Sequence, residues 1–234
     1  MRTYTSFSSS ETQKLLDQLL IADSPSLYRD AMRELGNRLA ERVANKVPTV
    51  KQSAVCIACT VEDADFLARG LLEGLERMGV SSSRIKLVCF WNERVRKFNG
   101  TDTNVFDVAP VVKEYREVQD IRDAVLIVVK SIISGACVVK TNLASMIDGA
   151  VPLRVIVAAP VMLKGAEQRL ASEFPQSLSS KFEYFAFAID DEKGADDNVV
   201  PGIGGSVYER LGFDDKTAYV PEIVKERRRR PASL

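Results

Sequence analysis

The stretch Ala124-Val125-Leu126-Ile127-Val128-Val129, which lies between Asp123 and Lys130, decides the fold class. A short run in which every residue is apolar is typical of a strand buried on both faces of a parallel sheet. Further strand-like segments lie at residues 54–58, 85–90, 155–159 and 182–189. Helical segments alternate with the strands, at residues 27–43, 63–78, 134–147 and 163–174. The alternation predicts an α/β fold with a mainly parallel sheet of about five strands flanked by helices.

Three segments depart from this alternation, namely the two ends of the chain and a stretch in its middle. Residues 94–119 are polar and contain the turn signal Asn99-Gly100, which predicts a hairpin or a flexible excursion from the main sheet. The chain is therefore divided into an N-terminal arm at residues 1–24, one domain at residues 25–213, and a basic C-terminal tail at residues 214–234.

The composition excludes several classes of protein. The 234 residues carry 32 basic and 32 acidic side chains, so no overall field attracts the chain to nucleic acid or membrane. No apolar run approaches the roughly 20 residues that span a bilayer, and no signal-peptide pattern is present, so we expect a cytoplasmic location. Cys56 and Cys59 form a C-x-x-C in an apolar run. Without histidine or a second C-x-x-C, structural cysteines are favoured over a redox pair or a metal site, and we expect no metal ligands.

Several short segments of the chain together form a pattern, which is defined by their order and by the spacing between them. They are Val157-Ala158-Ala159-Pro160, Gly165-Ala166-Glu167, Phe174-Pro175, Ala188-Ile189-Asp190 and Val200-Pro201-Gly202-Ile203-Gly204, preceded by the helix at residues 27–36. This pattern resembles the uracil phosphoribosyltransferases, over roughly residues 25–213. The resemblance implies a type I phosphoribosyltransferase-like fold with a small C-terminal hood after Ile189, and a homodimer. It also implies, for an active member, the synthesis of UMP from uracil and phosphoribosyl pyrophosphate (PRPP) with Mg²⁺.

The resemblance assigns the 5′-phosphate of PRPP to the loop after the strand at residues 125–129. The residues of this loop are Lys130, Ser131, Ile132, Ile133, Ser134, Gly135, Ala136 and Cys137. Small residues before a helix let backbone N–H groups and the helix dipole attract an anion. The alternative is a plain strand-to-helix turn capped by Ser134.

A second loop is assigned to the pyrimidine. In the resembled family, backbone groups of this loop read the uracil edge, and the matching residues here are Val199, Gly204, Gly205 and Ser206. The alternative is a glycine-rich loop that only turns the chain.

The chain departs from the family at most donor contacts. Val129, followed by Lys130, stands where the family has an aspartate that accepts from the ribose hydroxyls, and Gly205 replaces another aspartate. The pyrophosphate loop lacks its arginine and glycine and has gained Glu62 and Asp63, while Arg94 is the candidate for a second family arginine. These losses predict a catalytically degenerate protein that keeps a nucleotide- or pyrimidine-shaped pocket and acts as a sensor, effector or complex subunit. An active uracil phosphoribosyltransferase that uses Lys130 and Arg94 is the alternative.

Two charged groups outside the loops have open roles. Glu62, Asp63 and Asp65 are interpreted as the acidic first turn of the helix at residues 63–78, with a metal or acid–base cluster as the alternative. Arg227, Arg228, Arg229 and Arg230 are candidates for contact with a nucleic acid or an acidic protein, or they form a solvated helical tail.

Overall fold

The computed structural model describes most of the chain. The described residues are 1–48, 53–93, 95–98, 105–118, 120–147, 150–195, 198–213, 215 and 218–230, with the backbone alone for 95–98 and 105–107. Arg94, one of the residues predicted to contact the donor, lies outside them.

The main sheet contains eight strands over the described residues. The strands β4 and β5, and likewise β11 and β12, form two separate small sheets. In chain order all the described strands are β1 (Arg2–Tyr4), β2 (Val55–Thr60), β3 (Ile85–Asn92), β4 (Val95–Phe98), β5 (Val105–Val108), β6 (Val111–Arg116), β7 (Val125–Val129), β8 (Ile132–Ile133), β9 (Arg154–Leu163), β10 (Phe182–Asp190), β11 (Glu192–Lys193) and β12 (Val199–Val200). The order across the main sheet is β1-β10-β9-β7-β2-β3-β6, and β8 adds to β9. Strands β10, β9, β7, β2 and β3 are parallel neighbours. The predicted α/β class is confirmed.

Two strands that the sequence did not predict, β1 and β6, lie at the edges of the main sheet. β1 pairs with β10 and β6 pairs with β3, both in antiparallel orientation. Their residues are mostly partly or fully exposed, so they lack the continuous apolar run of a buried parallel strand. The predicted hairpin between residues 94 and 119 is present as β4 and β5, and β6 returns from it to the main sheet.

The helices cover the sheet and the chain ends. They are α1 (Ser10–Ile21), α2 (Pro25–Val43), α3 (Arg69–Arg77), α4 (Cys137–Ile147), α5 (Ala166–Ala171), α6 (Gln176–Ser179), α7 (Val207–Arg210) and α8 (Glu222–Arg228). A 3₁₀ turn at Ala44–Lys46 follows α2, and a π-helical turn at Ala64–Ala68 precedes α3. α2 begins as the sequence predicts, because the Ser24 side chain accepts a hydrogen bond from the Leu27 N–H and Pro25 occupies the first turn.

Helices α2 and α3 approach each other through glycine. A Cβ atom on Gly70 would lie 2.0 Å from the carbonyl oxygen of Arg33, and a Cβ atom on Gly36 would lie 2.1 Å from that of Leu67. Both distances are far shorter than a van der Waals contact, so only glycine allows this separation of the two helices. The close approach places the π-helical turn, and with it the end of β2, firmly on α2.

Both chain ends pack into the same core as the central domain. Leu16 and Leu19 of α1 and Ile223 and Val224 of α8 are buried in one cluster with the apolar residues of α2 and the sheet. The first N–H groups of α8 have no acceptor within the helix. The carboxylate of Asp65 accepts hydrogen bonds from two of them, those of Glu222 and Ile223. The segments predicted as an arm and a tail are therefore structural parts of the domain over their described residues.

Candidate ligand site at the switch point of the sheet

The strand order creates one position where a ligand site is expected. Numbered along the chain, the five parallel strands lie in the order second, first, third, fourth, fifth, so the connections diverge between β2 and β7. In open α/β sheets, ligands bind outside the carboxyl ends of the strands at such a switch point. β2 ends at Thr60 and β7 ends at Val129, so the residues that follow these two positions form the candidate site.

A cluster of charged side chains occupies the switch point. The ammonium of Lys130 donates hydrogen bonds to Glu62 Oε1 at 3.0 Å and to Asp63 Oδ2 at 3.2 Å. It also lies 3.3 Å from Thr60 Oγ1. Lys130 and Asp63 are buried, and the side chain of Glu62 is only 11% exposed. We call Thr60, Glu62, Asp63 and Lys130 the switch-point cluster.

Three further hydrogen bonds involve this cluster, one within it and two to its surroundings. The N–H of Ser131 donates to Asp63 Oδ1 at 3.1 Å, and the hydroxyl of Thr60 donates to Asp63 Oδ2 at 2.9 Å. The hydroxyl of Tyr208, on α7 in the C-terminal hood, donates to Glu62 Oε2 at 2.8 Å. The cluster therefore joins the ends of two central strands to the hood.

The electrostatics of the two carboxylates differ. Burial disfavours the charged form of Glu62, but the Lys130 ammonium and hydrogen bonds from the backbone, Tyr208 and Lys130 outweigh it and lower the pKa of Glu62 to about 2. Burial raises the pKa of Asp63. The positive charge of Lys130 opposes this rise, and the negative charge of Glu62 adds to it. Burial and the charge of Glu62 raise the pKa of Tyr208 well above its ordinary value. Glu62 is thus held as an anion that faces Lys130.

A small cavity borders the cluster. A cavity of about 10 Å³ is lined by Thr60, Lys130, Asn142 and apolar residues of β2, β7 and α4. A volume of this size accommodates at most about one water molecule. The amides of Asn92 and Asn142, at the same end of the sheet, are paired with each other at 2.8 and 3.1 Å.

The loop predicted to hold the 5′-phosphate is divided in the structure. Ser131 is fully buried, and Ile132 and Ile133 form strand β8, which pairs with Val161 and Met162 of β9. The second half, from Ser134 to Cys137, is partly exposed, and α4 begins at Cys137, three residues beyond Ser134. A Cβ atom on Gly135 would meet no other atom within 4 Å. Only the second half therefore has the open, small-residue character that an anion-binding turn needs.

The loop predicted to read a pyrimidine is fixed by Asp190 and by two side chains from the chain's first 30 residues. The fully buried carboxylate of Asp190 accepts from the Gly202 N–H at 2.8 Å and from two nitrogens of Arg2, at 2.9 and 2.8 Å. The hydroxyl of Tyr28 donates to the carbonyl of Ile203 at 2.9 Å. The loop contains a cis peptide bond between Val200 and Pro201. Its first half is therefore occupied by internal contacts.

The four predicted pyrimidine contacts fall on both sides of this fixed part. Val199 is buried in β12, and a Cβ atom on Gly204 would lie 2.7 Å from the carbonyl oxygen of Leu19. Gly205, at a φ of 109°, faces open space, and Ser206 precedes α7. The two predicted loops do meet, because Ile132 Cδ1 lies 3.3 Å from the position of a Cβ on Gly202.

The arginines of the C-terminus are not equivalent. Arg227 is buried and donates to Glu117 Oε2 at 2.6 Å, while Glu117 also accepts from the Leu87 N–H at 2.7 Å. Arg227 is therefore used to neutralise a carboxylate inside the protein, which corrects its prediction as a partner contact. The Arg228 guanidinium lies 5.6 Å from the centre of the Tyr115 ring, while Arg229 and Arg230 are exposed.

The residues that form the cluster were only partly found in the sequence. Glu62 and Asp63 were interpreted as acids of a first helical turn, whereas their side chains bind Lys130, and Thr60 and Tyr208 were not singled out. One signal was present: Lys130 directly follows a fully apolar strand. A lysine that is buried in such a position requires a nearby carboxylate.

The described residues offer no evident place for a metal ion. Among them, no group of three or more acidic, cysteine or histidine side chains is arranged to hold one. Mg²⁺ binds carboxylate oxygens and usually keeps several water ligands. The carboxylates of Glu62 and Asp63 instead accept hydrogen bonds, and the donors are Lys130, Thr60, Ser131 and Tyr208. The donor set at the switch point does not fit Mg²⁺.

In the part of the chain that the structure describes, no helix combines the length and apolarity needed to cross a membrane.

Comparisons with known proteins find relatives in structure only. No protein-family model matches the chain, and no curated protein matches it. The AQ2163 protein from Aquifex aeolicus has a TM-score of 0.65 at 13% identity, covering 91% of this chain and 98% of that one. The Aquifex aeolicus protein therefore has the same fold as this chain over nearly the whole length of both.

Two other structures overlap less well. The hypoxanthine-guanine phosphoribosyltransferase of L. donovani has a TM-score of 0.40 at 12% identity, covering 71% of this chain and 84% of that one. A hypothetical protein from Neisseria gonorrhoeae with bound ppGpp has a TM-score of 0.44 at 16% identity, covering 69% of this chain and 80% of that one.

Proposed function

We propose that this chain is a phosphoribosyltransferase-like protein without transferase activity, which binds a nucleotide or pyrimidine as a sensor, an effector or a subunit of a complex. The observation that carries the proposal is the position of Glu62 and Asp63. Their carboxylates lie at the switch point, bound to Lys130, where the resemblance would place the pyrophosphate of PRPP.

The chemistry of phosphoribosyl transfer argues against activity at this site. The donor carries a diphosphate that leaves as an anion, so catalysis depends on cationic and N–H groups that stabilise negative charge. Two carboxylates in a poorly solvated position repel such a group. Val129, at the end of β7, supplies no acceptor for ribose hydroxyls.

The open parts of the two loops support the binding of a smaller ligand. The turn from Ser134 to Ala136 is partly exposed, and Gly135 leaves space for a phosphate group. Gly205 faces open space in the loop that would read a base through its backbone. A pyrimidine nucleoside monophosphate needs no diphosphate subsite and is the ligand class we propose. By resemblance, we also propose a homodimer in the cytoplasm.

The test combines turnover with ligand-induced stabilisation. Purified protein is incubated with uracil, PRPP and Mg²⁺, together and singly, and in a separate sample with UMP, while UMP formation and the melting temperature are measured. We expect no UMP and no stabilisation by PRPP, but stabilisation by UMP. A ligand at 100 times its dissociation constant stabilises a protein by about 2.7 kcal/mol.

Matched variants locate the bound nucleotide. Gly135→Val fills the space at the turn before α4 and should abolish the stabilisation by UMP. Ala144→Val, at an exposed position of the same helix, should retain it. Formation of UMP at ordinary enzyme rates would refute the proposal in favour of an active uracil phosphoribosyltransferase. Absence of a shift with UMP would refute the ligand class.

A further inference from the structure

We infer that strand β6 is an interface between two copies of this chain, in which the two β6 strands pair in antiparallel orientation about a two-fold axis at Tyr115. The inference rests on the proposed homodimer. It adds the surface through which the two copies bind and the charged side chains that select their register.

One side of the β6 backbone is unpaired in the part of the chain that the structure describes. β6 pairs there only with β3, and it ends the order of strands across the main sheet. The N–H of Glu117 donates to the Leu87 carbonyl at 3.1 Å. Because backbone groups alternate in direction along a strand, those of Tyr115 also face β3, whereas those of Glu114 and Arg116 face outward. Such an edge is a template for another strand.

The sequence of β6 is complementary to itself in one antiparallel register. When Tyr115 lies opposite its counterpart in the second copy, Glu114 lies opposite Arg116, and Lys113 lies opposite Glu117. The two-fold axis repeats each pair, so that four pairs of opposite charge result. Side chains directly opposite each other have Cβ atoms about 4.5–5.5 Å apart, and opposite charges at this distance stabilise the pairing of the strands.

The neighbouring registers bring like charges together. A two-fold axis at Lys113, Glu114 or Arg116 would place that residue opposite its own counterpart, and like charges directly opposite each other are destabilising. Charged side chains ordinarily protect an edge strand from association. In β6 their order excludes these slipped registers and leaves the register centred on Tyr115.

The outermost charges of β6 are already positioned in the single chain. Arg116 donates to Glu114 Oε2 at 3.0 Å, and also to the hydroxyl and the carbonyl oxygen of Ser145 on α4, at 3.1 and 3.3 Å. A guanidinium that is held in place before association loses less side-chain entropy when it binds a second carboxylate. Two copies would therefore complete an alternating network of two carboxylates and two guanidinium groups.

The interface is short, so we expect a reversible dimer. The register between β3 and β6 shifts at Trp91 and Asn92, and this irregularity limits the regular pairing of β6 to the residues from Lys113 onward. Sedimentation velocity over a wide concentration series should show wild type passing from monomer to dimer. A monomer at every concentration, which would leave the edge to a strand of another protein, overturns both the inference and the proposed homodimer.

Two variants that complement each other test the charges. Glu114→Arg and Arg116→Glu each place like charges opposite each other, so each variant alone should dimerise at least about tenfold more weakly than wild type. An equal mixture of the two restores opposite charges in both pairs and should form a heterodimer. The ion pair within the strand is absent from both variants, so this restoration cannot arise within one chain. Variant dimers as tight as those of wild type, or a mixture that remains monomeric, overturn the inference.

A backbone variant keeps the test decisive if Arg116→Glu does not fold. Glu114→Pro removes an N–H that faces outward, which an edge strand tolerates, and should abolish the dimer. The control is Glu173→Arg, which breaks an exposed ion pair with Lys140 and should dimerise as wild type does.

The possible failures are distinguishable. A dimer that persists in Glu114→Pro, or one that is lost equally in Glu173→Arg, refutes the β6 interface and leaves the proposed homodimer standing. The stabilisation by UMP tests the proposed nucleotide site independently of either result.

Discussion

The backbone N–H of Ser131 donates a hydrogen bond to Oδ1 of Asp63 at 3.1 Å, which joins the loop after β7 to the turn after β2. The other oxygen of the same carboxylate accepts from Lys130 and Thr60. Asp63 is therefore bound on both sides, and two of its partners lie 67 and 68 positions further along the chain. This single carboxylate connects the two halves of the candidate site.

Replacement of Asp63 by alanine should strongly destabilise the protein. The change removes the acceptor of hydrogen bonds from Thr60, Ser131 and Lys130. A buried donor left without a partner costs about 1–3 kcal/mol. The free energy of unfolding in urea measures the loss. Asp120→Ala removes a carboxylate from the exposed pair with Arg122, and should leave the free energy of unfolding nearly unchanged. Equal losses in the two variants would contradict the structural role of Asp63.

The contribution of Glu62 to stability should depend on pH. The pKa of Glu62 is about 2 in the folded protein, whereas its ordinary value is 4.5. The folded state thus binds fewer protons between these values, so the contribution is complete above pH 4.5 and is lost as the pH falls toward 2. Urea unfolding of wild type and Glu62→Gln from pH 6 to pH 2 should show a stability difference that shrinks only below about 4.5.

The same series for Glu73→Gln provides the comparison. Glu73 pairs with Arg33 at the protein surface, with side chains 30% and 46% exposed. Its stability difference from wild type should change less with pH, because surface ion pairs contribute little. A difference between wild type and Glu62→Gln that stayed constant from pH 6 to the acid end of the series would exclude an ion pair at Glu62.

Gly70→Ala should lower stability although alanine favours helices. The added Cβ would lie 2.0 Å from the carbonyl oxygen of Arg33, so α2 and α3 must separate. Overpacking of this kind costs about 1–3 kcal/mol. The midpoint of thermal unfolding measures it. Gly135→Ala, at a position with open space, is the control, and a Gly70→Ala variant as stable as the control would argue against the close approach.

Arg227→Ala should be far more harmful than Arg229→Ala. Arg227 is buried against Glu117, whose carboxylate also accepts from the Leu87 N–H and the Tyr115 hydroxyl. Loss of the cation leaves that carboxylate without its charge partner, at a cost of about 3–5 kcal/mol. Arg229 is exposed, and its replacement should change the free energy of unfolding by less than about 0.5 kcal/mol. Similar effects would favour a free tail.

The interior of the fold could be predicted from the sequence because burial on both faces leaves a strong pattern. Val125–Val129 is a five-residue strand with every residue buried, as its continuous apolar run indicates. The edges could not be predicted, since Arg2–Tyr4 has only three residues and gains its structure from pairing with β10. Local sequence carries little information about such long-range pairing.

The contacts within the candidate site could not be predicted. The family resemblance assigned Lys130 to the loop after β7. Its side chain, however, binds Glu62 and Asp63, which lie 68 and 67 positions earlier in the chain. Periodicity describes neighbours along one element and cannot show which charges meet across two strands. The role of Arg227 was missed for the same reason, because Glu117 lies 110 positions away.

The pairing of β1 with β10 has a consequence for synthesis on the ribosome. Arg2 and Asp190 are separated by 188 positions, so at about 5–20 residues per second roughly 10–40 s pass between their synthesis. During that interval the first residues have no partner strand. Asp190 can bind both Arg2 and the Gly202 N–H only after residue 202 has emerged from the ribosome. The edge of the sheet and the loop beside it therefore form long after the synthesis of the strand that completes them.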